Sequence, residues 1–178
     1  MKKIETGFEG LYIIEGNVLK DSRGLFLKTF HQSVFSDLEL EIYYSERYYS
    51  KSHKNVIRGM HFQIPPFDHV KTVNVLQGII LDVVVDMRKA SPTFQQCFSM
   101  QLNDSNGRFL YIPKGFAHGF KSLMDNVIVE YNQTTEYNND CDCGISWNSI
   151  GFNWEITNPI ISERDSSFPD LNDYLSPF

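Results

Sequence analysis

Positive charge is scarce in this chain. Its 178 residues carry 16 Lys and Arg against 22 Asp and Glu, a formal net charge of −6. Nonspecific nucleic-acid binding depends on a positive field, so that class is excluded, although a local basic pocket for a nucleotide is not. Long apolar runs are also missing. Nothing approaches the roughly 20 residues that span a bilayer, so no membrane partner is expected. No apolar stretch follows the basic start Met1-Lys2-Lys3, which is not the pattern of a secretory signal. Cysteines are few and odd in number, Cys97, Cys141 and Cys143, which makes no disulfide framework. The expected compartment is therefore the cytoplasm. Cys141-Asp142-Cys143 lacks the usual metal-ligand spacing and no second ligand pair follows it, so it reads as a polar loop with two free thiols. Repeats, low-complexity tracts and linkers are absent, and one domain over residues 1–178 is expected.

Helical signals are few: Gln32 to Leu38 reads as one short helix, and the tail from Ser162 onward as another turn or two. Strand signals dominate. Leu11 to Ile14, Leu25 to Phe30, Ile42 to Ser50 and Asn55 to Gln63 are rich in β-branched and aromatic residues. Val70 to Leu76 alternates and puts Lys71 on one face with Val73 and Val75. Ile79 to Asp86 is almost all apolar and reads as a strand covered on both faces. Cys97 to Leu102, Phe109 to Ile112, Gly115 to Leu123 and Val127 to Gln133 complete the series. Turn clusters at Asp21-Ser22-Arg23-Gly24, Ala90-Ser91-Pro92-Thr93, Asn103 to Gly107 and Pro113-Lys114-Gly115 separate them. Many short strands at this spacing predict an all-β sandwich or barrel, with the jelly roll favoured.

Chemistry concentrates in Val56-Ile57-Arg58-Gly59-Met60-His61-Phe62-Gln63 and the following Lys71. A histidine can take a proton near neutral pH, a lysine can hold the negative charge this creates, and an arginine can grip phosphate. Together they point to proton abstraction beside a carbonyl on a phosphate-bearing substrate. The bland alternative for Arg58 and Lys71 is a salt bridge at a sheet edge, and a lone strand histidine is usually structural. An inward lysine without a partner or task would, however, be costly. A metal site is disfavoured: Gln63 stands where a second histidine would serve, and no carboxylate follows before Asp68.

Six segments in order resemble one family. They are Asp21 to Gly24, Asn55 to Gln63, Asp86 to Phe94, Ile112-Pro113-Lys114-Gly115-Phe116-Ala117-His118-Gly119-Phe120, Ile145-Ser146-Trp147-Asn148 and Ile161-Ser162-Glu163-Arg164-Asp165. The chain resembles dTDP-4-dehydrorhamnose 3,5-epimerase and related 3- or 5-epimerases of 4-keto-6-deoxy sugar nucleotides, from about Phe8 to Pro169. The resemblance implies a cupin-type double-stranded β-helix (jelly roll) with a few short helices and no metal or other cofactor. It also implies a nucleotide-sugar substrate and a homodimer with exchanged N-terminal strands. It matches His61 to the general base, Asp165 to the carboxylate behind it, Lys71 to the cation on the enolate oxygen and Tyr131 to the acid on the other face of the sugar. As substrate-binding positions it implies Arg23, Lys28, Glu46, Tyr48, Arg58, Gln63, His118, Tyr137, Asp142 and Arg164.

Departures fall among the binding residues. Lys28 stands where the family has glutamate, Glu46-Arg47-Tyr48-Tyr49 replaces a Gln-Asp-Asn-like stretch, Asp142 replaces glutamate and Arg164 replaces lysine. The expectation is retained proton-transfer chemistry with altered substrate or positional selectivity. Alternatives are a sugar-nucleotide 3,4-ketoisomerase, a metal-dependent cupin enzyme and a noncatalytic sugar-binding cupin.

Overall fold

A computed structural model describes all of residues 1–178. Two antiparallel sheets face each other. The first runs β1 (Lys2–Glu5), β2 (Tyr12–Glu15), β10 (Arg108–Ile112), β7 (Lys71–Gln77), β12 (Val127–Gln133) and β5 (Glu46–Ser52). The second runs β13 (Asp142–Gly144), β6 (Ile57–Gln63), β11 (Phe116–Ser122), β8 (Ile79–Asp86) and β9 (Cys97–Asn103). The fold is the jelly roll expected of the strand pattern. A hairpin of β3 (Leu19–Asp21) and β4 (Gly24–Phe26) pairs only with itself and leaves Leu19, Leu25 and Phe26 exposed.

Strand parity explains the layering. Side chains alternate across a strand, so each sheet has an inner and an outer face. Val73, Val75, Ile80, Val84, Leu110, Phe116, Phe120, Val129 and Tyr131 meet between the sheets. Val83, Val85 and Ala117, one residue out of phase, form a second core on the outer face of the five-stranded sheet. The chain after Gly144 covers that face with Ile145, Ile150, Trp154 and Leu171, so the continuous apolar run of β8 is buried on both sides. Helix α1 (Gln32–Asp37) covers the outer face of the other sheet by packing Phe35 with Ile14, Phe109 and Tyr111.

Several boundaries differ from the sequence expectation. Leu25 to Phe30 forms strand only as far as Phe26, and Phe30 turns back to pack edge-on against Phe35 at 4.9 Å. Ile42 and Tyr44 join the core beneath α1, so that strand begins only at Glu46. The polar loop expected at Cys141-Asp142-Cys143 is in part strand β13, pairing with β6, and all three thiols are free. Three residues are too few for alternation to show. β1, four residues of which three are charged, carries no clear signal either. The tail forms α2 (Glu163–Ser166) and a 3-10 turn (Leu171–Asp173).

One irregularity positions the site. Arg58 pairs with Phe120 and His61 with His118, so three steps along β6 oppose two along β11. This is a β-bulge, and it inverts the alternation. Before it Ile57 faces the outer core and Arg58 inward; after it Met60 and Phe62 face outward and His61 inward. Gly59 lies at φ +135°, and a Cβ there would sit 2.5 Å from the Gly119 Cα, so only glycine fits.

Candidate active site

The inner faces open at one end into a cavity of about 330 Å³. Inward positions of β6 and β11 supply Arg58, His61, Gln63 and His118 on one wall. The other wall carries Lys71 from β7, Tyr131 and Gln133 from β12, and Glu46, Tyr48 and Ser50 from β5.

His61 is held from behind. Its Nε2 lies 2.9 Å from Asp165 Oδ1, and the backbone N–H of Gly59 donates to Asp165 Oδ2 at 3.0 Å. Asp165 reaches this point because Ser162 caps α2, accepting from the Asp165 backbone N–H at 3.1 Å. Burial pushes the Asp165 carboxyl up, but the hydrogen bond and charge of His61, the Gly59 N–H and Ser162 outweigh it and hold it below its ordinary value of 3.8. An ionised Asp165 accepts a proton-bearing Nε2, which leaves Nδ1 of His61 as the basic nitrogen.

Lys71 is 6% exposed, and its ammonium makes no ion pair or hydrogen bond within the protein. Burial lowers it from 10.5 to about 8, against the pull of Asp82 and Asp142. Asp82 occupies the inward phase of β8 with Ile80 and Val84. Its Oδ2 lies 2.9 Å from His118 Nε2, while its Oδ1 is buried without a partner. Burial dominates this pair, raising Asp82 and lowering His118, so His118 is a neutral imidazole at neutral pH. His69, also in the cavity wall, falls to about 3 through burial and then the charge of Lys71.

Tyr131 pairs with Val73 across the strands while Lys71 pairs with Gln133, which makes Tyr131 and Lys71 diagonal neighbours on one face. Burial raises the Tyr131 phenol far above its ordinary value, so its proton stays in place. His61 thus faces Tyr131 and Lys71 from the opposite sheet, across a gap set by sheet-on-sheet packing of about 10 Å. An imidazole on one wall facing a phenol and an ammonium on the other is an arrangement that can remove a proton from one face of a ring and return one to the other face.

No group of three or more His, Cys, Asp or Glu side chains converges as metal ligands do. No helix is long and apolar enough to cross a membrane.

The sequence pattern of dTDP-4-dehydrorhamnose 3,5-epimerase matches residues 5–173. The chain belongs to this family. It is an isomerase of the sugar-nucleotide epimerase class. The dTDP-4-dehydrorhamnose 3,5-epimerase of Methanothermobacter thermautotrophicus is 39% identical over 175 residues, covering 96% of this chain and 94% of the relative. The crystal structure of the Bacillus anthracis epimerase with TDP and PPi bound superposes with a TM-score of 0.92 at 39% identity, over 96% of this chain and 99% of that one. That of the Legionella pneumophila epimerase in complex with dTDP-4-keto-L-rhamnose gives a TM-score of 0.90 at 32% identity, over 96% and 93%.

This epimerase brings most of the anticipated residues to one place. His61, Lys71, Tyr131, Glu46, Tyr48, Arg58, Gln63, His118, Tyr137, Asp142 and Arg164 line the cavity, with Asp165 behind His61. Arg164 pairs with Asp142 at 2.5 Å, and the Tyr137 N–H donates to Glu46 at 2.8 Å. The Gln63 amide binds Phe67 O at 2.9 Å and accepts from the Asn138 N–H at 2.6 Å, so it also fastens the loop at the cavity mouth. Arg23 and Lys28 lie outside this cavity. Arg23 pairs with Asp21 on the projecting hairpin, whose strands pair only with each other. Sequence reading missed Ser50, His69, Asp82 and Gln133. Parity contained the signal for three of them: Ser50 and Gln133 are two residues from Tyr48 and Tyr131, and Asp82 shares a phase with Ile80 and Val84.

Proposed function

We propose that this chain epimerises a dTDP-linked 4-keto-6-deoxyhexose at carbons 3 and 5 in deoxysugar biosynthesis. The observation that carries this reading is the placement of His61 and Tyr131 on opposite walls with Lys71 beside the phenol. Hydrogens flanking the 4-ketone are weakly acidic. His61 Nδ1 takes one, the C–H electrons form the enolate double bond, and the oxygen's new charge meets the Lys71 ammonium. Tyr131 then delivers its proton to the carbon from the other face as the ketone reforms. His61 and Tyr131 return to their starting states by proton exchange with solvent. Nothing is oxidised or reduced. Arg58 and Arg164 suit the diphosphate, and exposed Tyr137 suits the base.

The assembly we propose is a homodimer in which the N-terminal part of one chain serves the other. Exposed Leu19, Leu25 and Phe26 on the hairpin, and the absence of Arg23 and Lys28 from the lining of their own cavity, support it. A narrower selectivity, inversion at one carbon only, is favoured by a single feature: Tyr48 places a large ring in the cavity wall.

Turnover of a panel of 4-keto sugar nucleotides in deuterated water tests the chemistry. Deuterium should enter carbons 3 and 5 of the dTDP sugar with inversion, and His61→Asn should abolish it. Absence of exchange in the wild type, or its survival in His61→Asn, overturns the reading. Deuterium at one carbon alone selects the narrower form.

A further inference from the structure

Tyr131 does not stand alone in its wall. It pairs directly across β12 and β5 with Tyr48, and the two rings stack with centroids 4.8 Å apart and planes inclined by 21°. Two hydrogen bonds on parallel diagonals flank this pair, one on each side. Gln133 Nε2 donates to Tyr48 Oη at 2.6 Å, and Ser50 Oγ lies 3.3 Å from Tyr131 Oη. All four residues follow from parity, since Tyr48 and Ser50 share the inward face of β5 as Tyr131 and Gln133 share that of β12. On its other side Tyr131 meets the edge of the His118 ring at 6.2 Å.

We propose that Tyr48 is a positioning residue for Tyr131, holding the phenol where it protonates the enolate rather than leaving that carbon to His61; this rests on the reading of Tyr131 as the acid. A tyrosine ring on a strand has two soft side-chain torsions. Tyr48 occupies the volume into which the Tyr131 ring would swing, and Ser50 draws its hydroxyl the same way. Tyr48 needs fixing in turn, because β5 is the last strand of its sheet. Gln133, reaching from the neighbouring strand, supplies that. Simple packing is a poorer account: Tyr48 is 40% exposed, whereas an aromatic retained for core volume would be buried.

The consequence is kinetic. Once His61 has taken a proton, the enolate has two fates. Return from His61 gives back the original stereocentre, and delivery from Tyr131 inverts it. A displaced phenol loses that competition even when the enolate forms as fast as before, because reacting atoms must be held to within a fraction of an ångström. In deuterated water the first fate appears as recovered, uninverted substrate carrying deuterium, and the second as inverted product.

The ratio of these two species, measured on folded protein, tests the proposal. Tyr48→Ala should raise exchange without inversion relative to inversion by about tenfold, and Tyr48→Phe, which keeps the stack but gives up the Gln133 hydrogen bond, should raise it less, by about twofold. Should Tyr48→Ala fail to fold, Ser50→Ala carries the test, because it removes one brace and keeps the stack; the ratio should again rise. An unchanged ratio in Tyr48→Ala, or in Ser50→Ala where that variant is used, with both rates lowered together, overturns the proposal. Tyr131→Phe separates the two levels of inference: it should leave exchange and remove inversion. If Tyr131→Phe inverts like the wild type, the acid assignment itself fails.

Discussion

Gly59 and Asp165 are joined by a hydrogen bond of 3.0 Å from the glycine N–H to Oδ2, while Oδ1 of the same carboxylate holds His61 at 2.9 Å. The glycine is the extra residue of the β6 bulge. One position therefore turns His61 to the inner face and also fastens the carboxylate that orients it.

Replacing Gly59 with alanine should damage fold and catalysis together. The new Cβ would lie 2.5 Å from the Gly119 Cα and 3.0 Å from the His118 carbonyl, at φ +135°. A loss of about 2–4 kcal/mol in urea unfolding is expected. Activity per folded molecule should fall as well, since Arg58 and His61 share a face only through the bulge.

Asp165→Asn should keep the size of the side chain and lose the charge. Turnover should drop by about 10²-fold or more, because Nε2 then meets an amide and the imidazolium loses its counter-charge. Stability should change with pH in a defined direction. A carboxyl held below its ordinary value stabilises the fold above that value, and this is lost as pH falls through the folded pKa. Thermal unfolding of the wild type below about pH 4 should weaken more steeply than that of Asp165→Asn.

Lys71, lowered to about 8 from 10.5, gives the opposite window. Its charged form is disfavoured in the folded state, so the unfolded chain binds more protons between those two values and the Lys71 contribution to stability rises with pH across them. Activity should run the other way, with kcat/KM of the free enzyme falling above about pH 8 as the ammonium is lost. Lys71→Met should remove both effects and lower kcat by roughly 10²–10³-fold, measured by pH–rate and pH–melting profiles.

Arg23 should act in the partner's site. Arg23→Ala and His61→Asn variants, each nearly inactive alone, should regain activity after mixing and subunit exchange, because one cavity of the mixed dimer then has both residues. Failure of a folded, exchanging mixture to regain activity would remove Arg23 from the site.

Much of this was readable residue by residue. Alternation in Val70 to Leu76 placed Lys71 with Val73 and Val75, and they do share the inner face. The unbroken apolar run of β8 announced burial on both sides. Asp82, in the inward phase of that run with Ile80 and Val84, is equally visible in the alternation. What parity could not supply was the break in parity. Counted as a regular strand, Arg58 and His61 fall on opposite faces, and only pairing with β11 reveals the inserted residue. Asp165 lies 104 residues from His61, and no local spacing relates them; the family resemblance alone pairs them in the sequence, and the fold sets their side chains 2.9 Å apart.

Most of the strand pattern, the layering of apolar residues and the kinds of group available for chemistry are legible along the chain, because alternation is a local property. Tertiary structure decided which of these groups meet. The Gly59 bulge, the His61–Asp165 hydrogen bond and the braced Tyr48–Tyr131 pair each depend on residues distant in sequence. Their geometry exists only once β6 pairs with β11, α2 docks behind β6 and β5 pairs with β12, since a hydrogen bond or a stack requires both partners within a few ångströms and no local preference of one strand can supply the other.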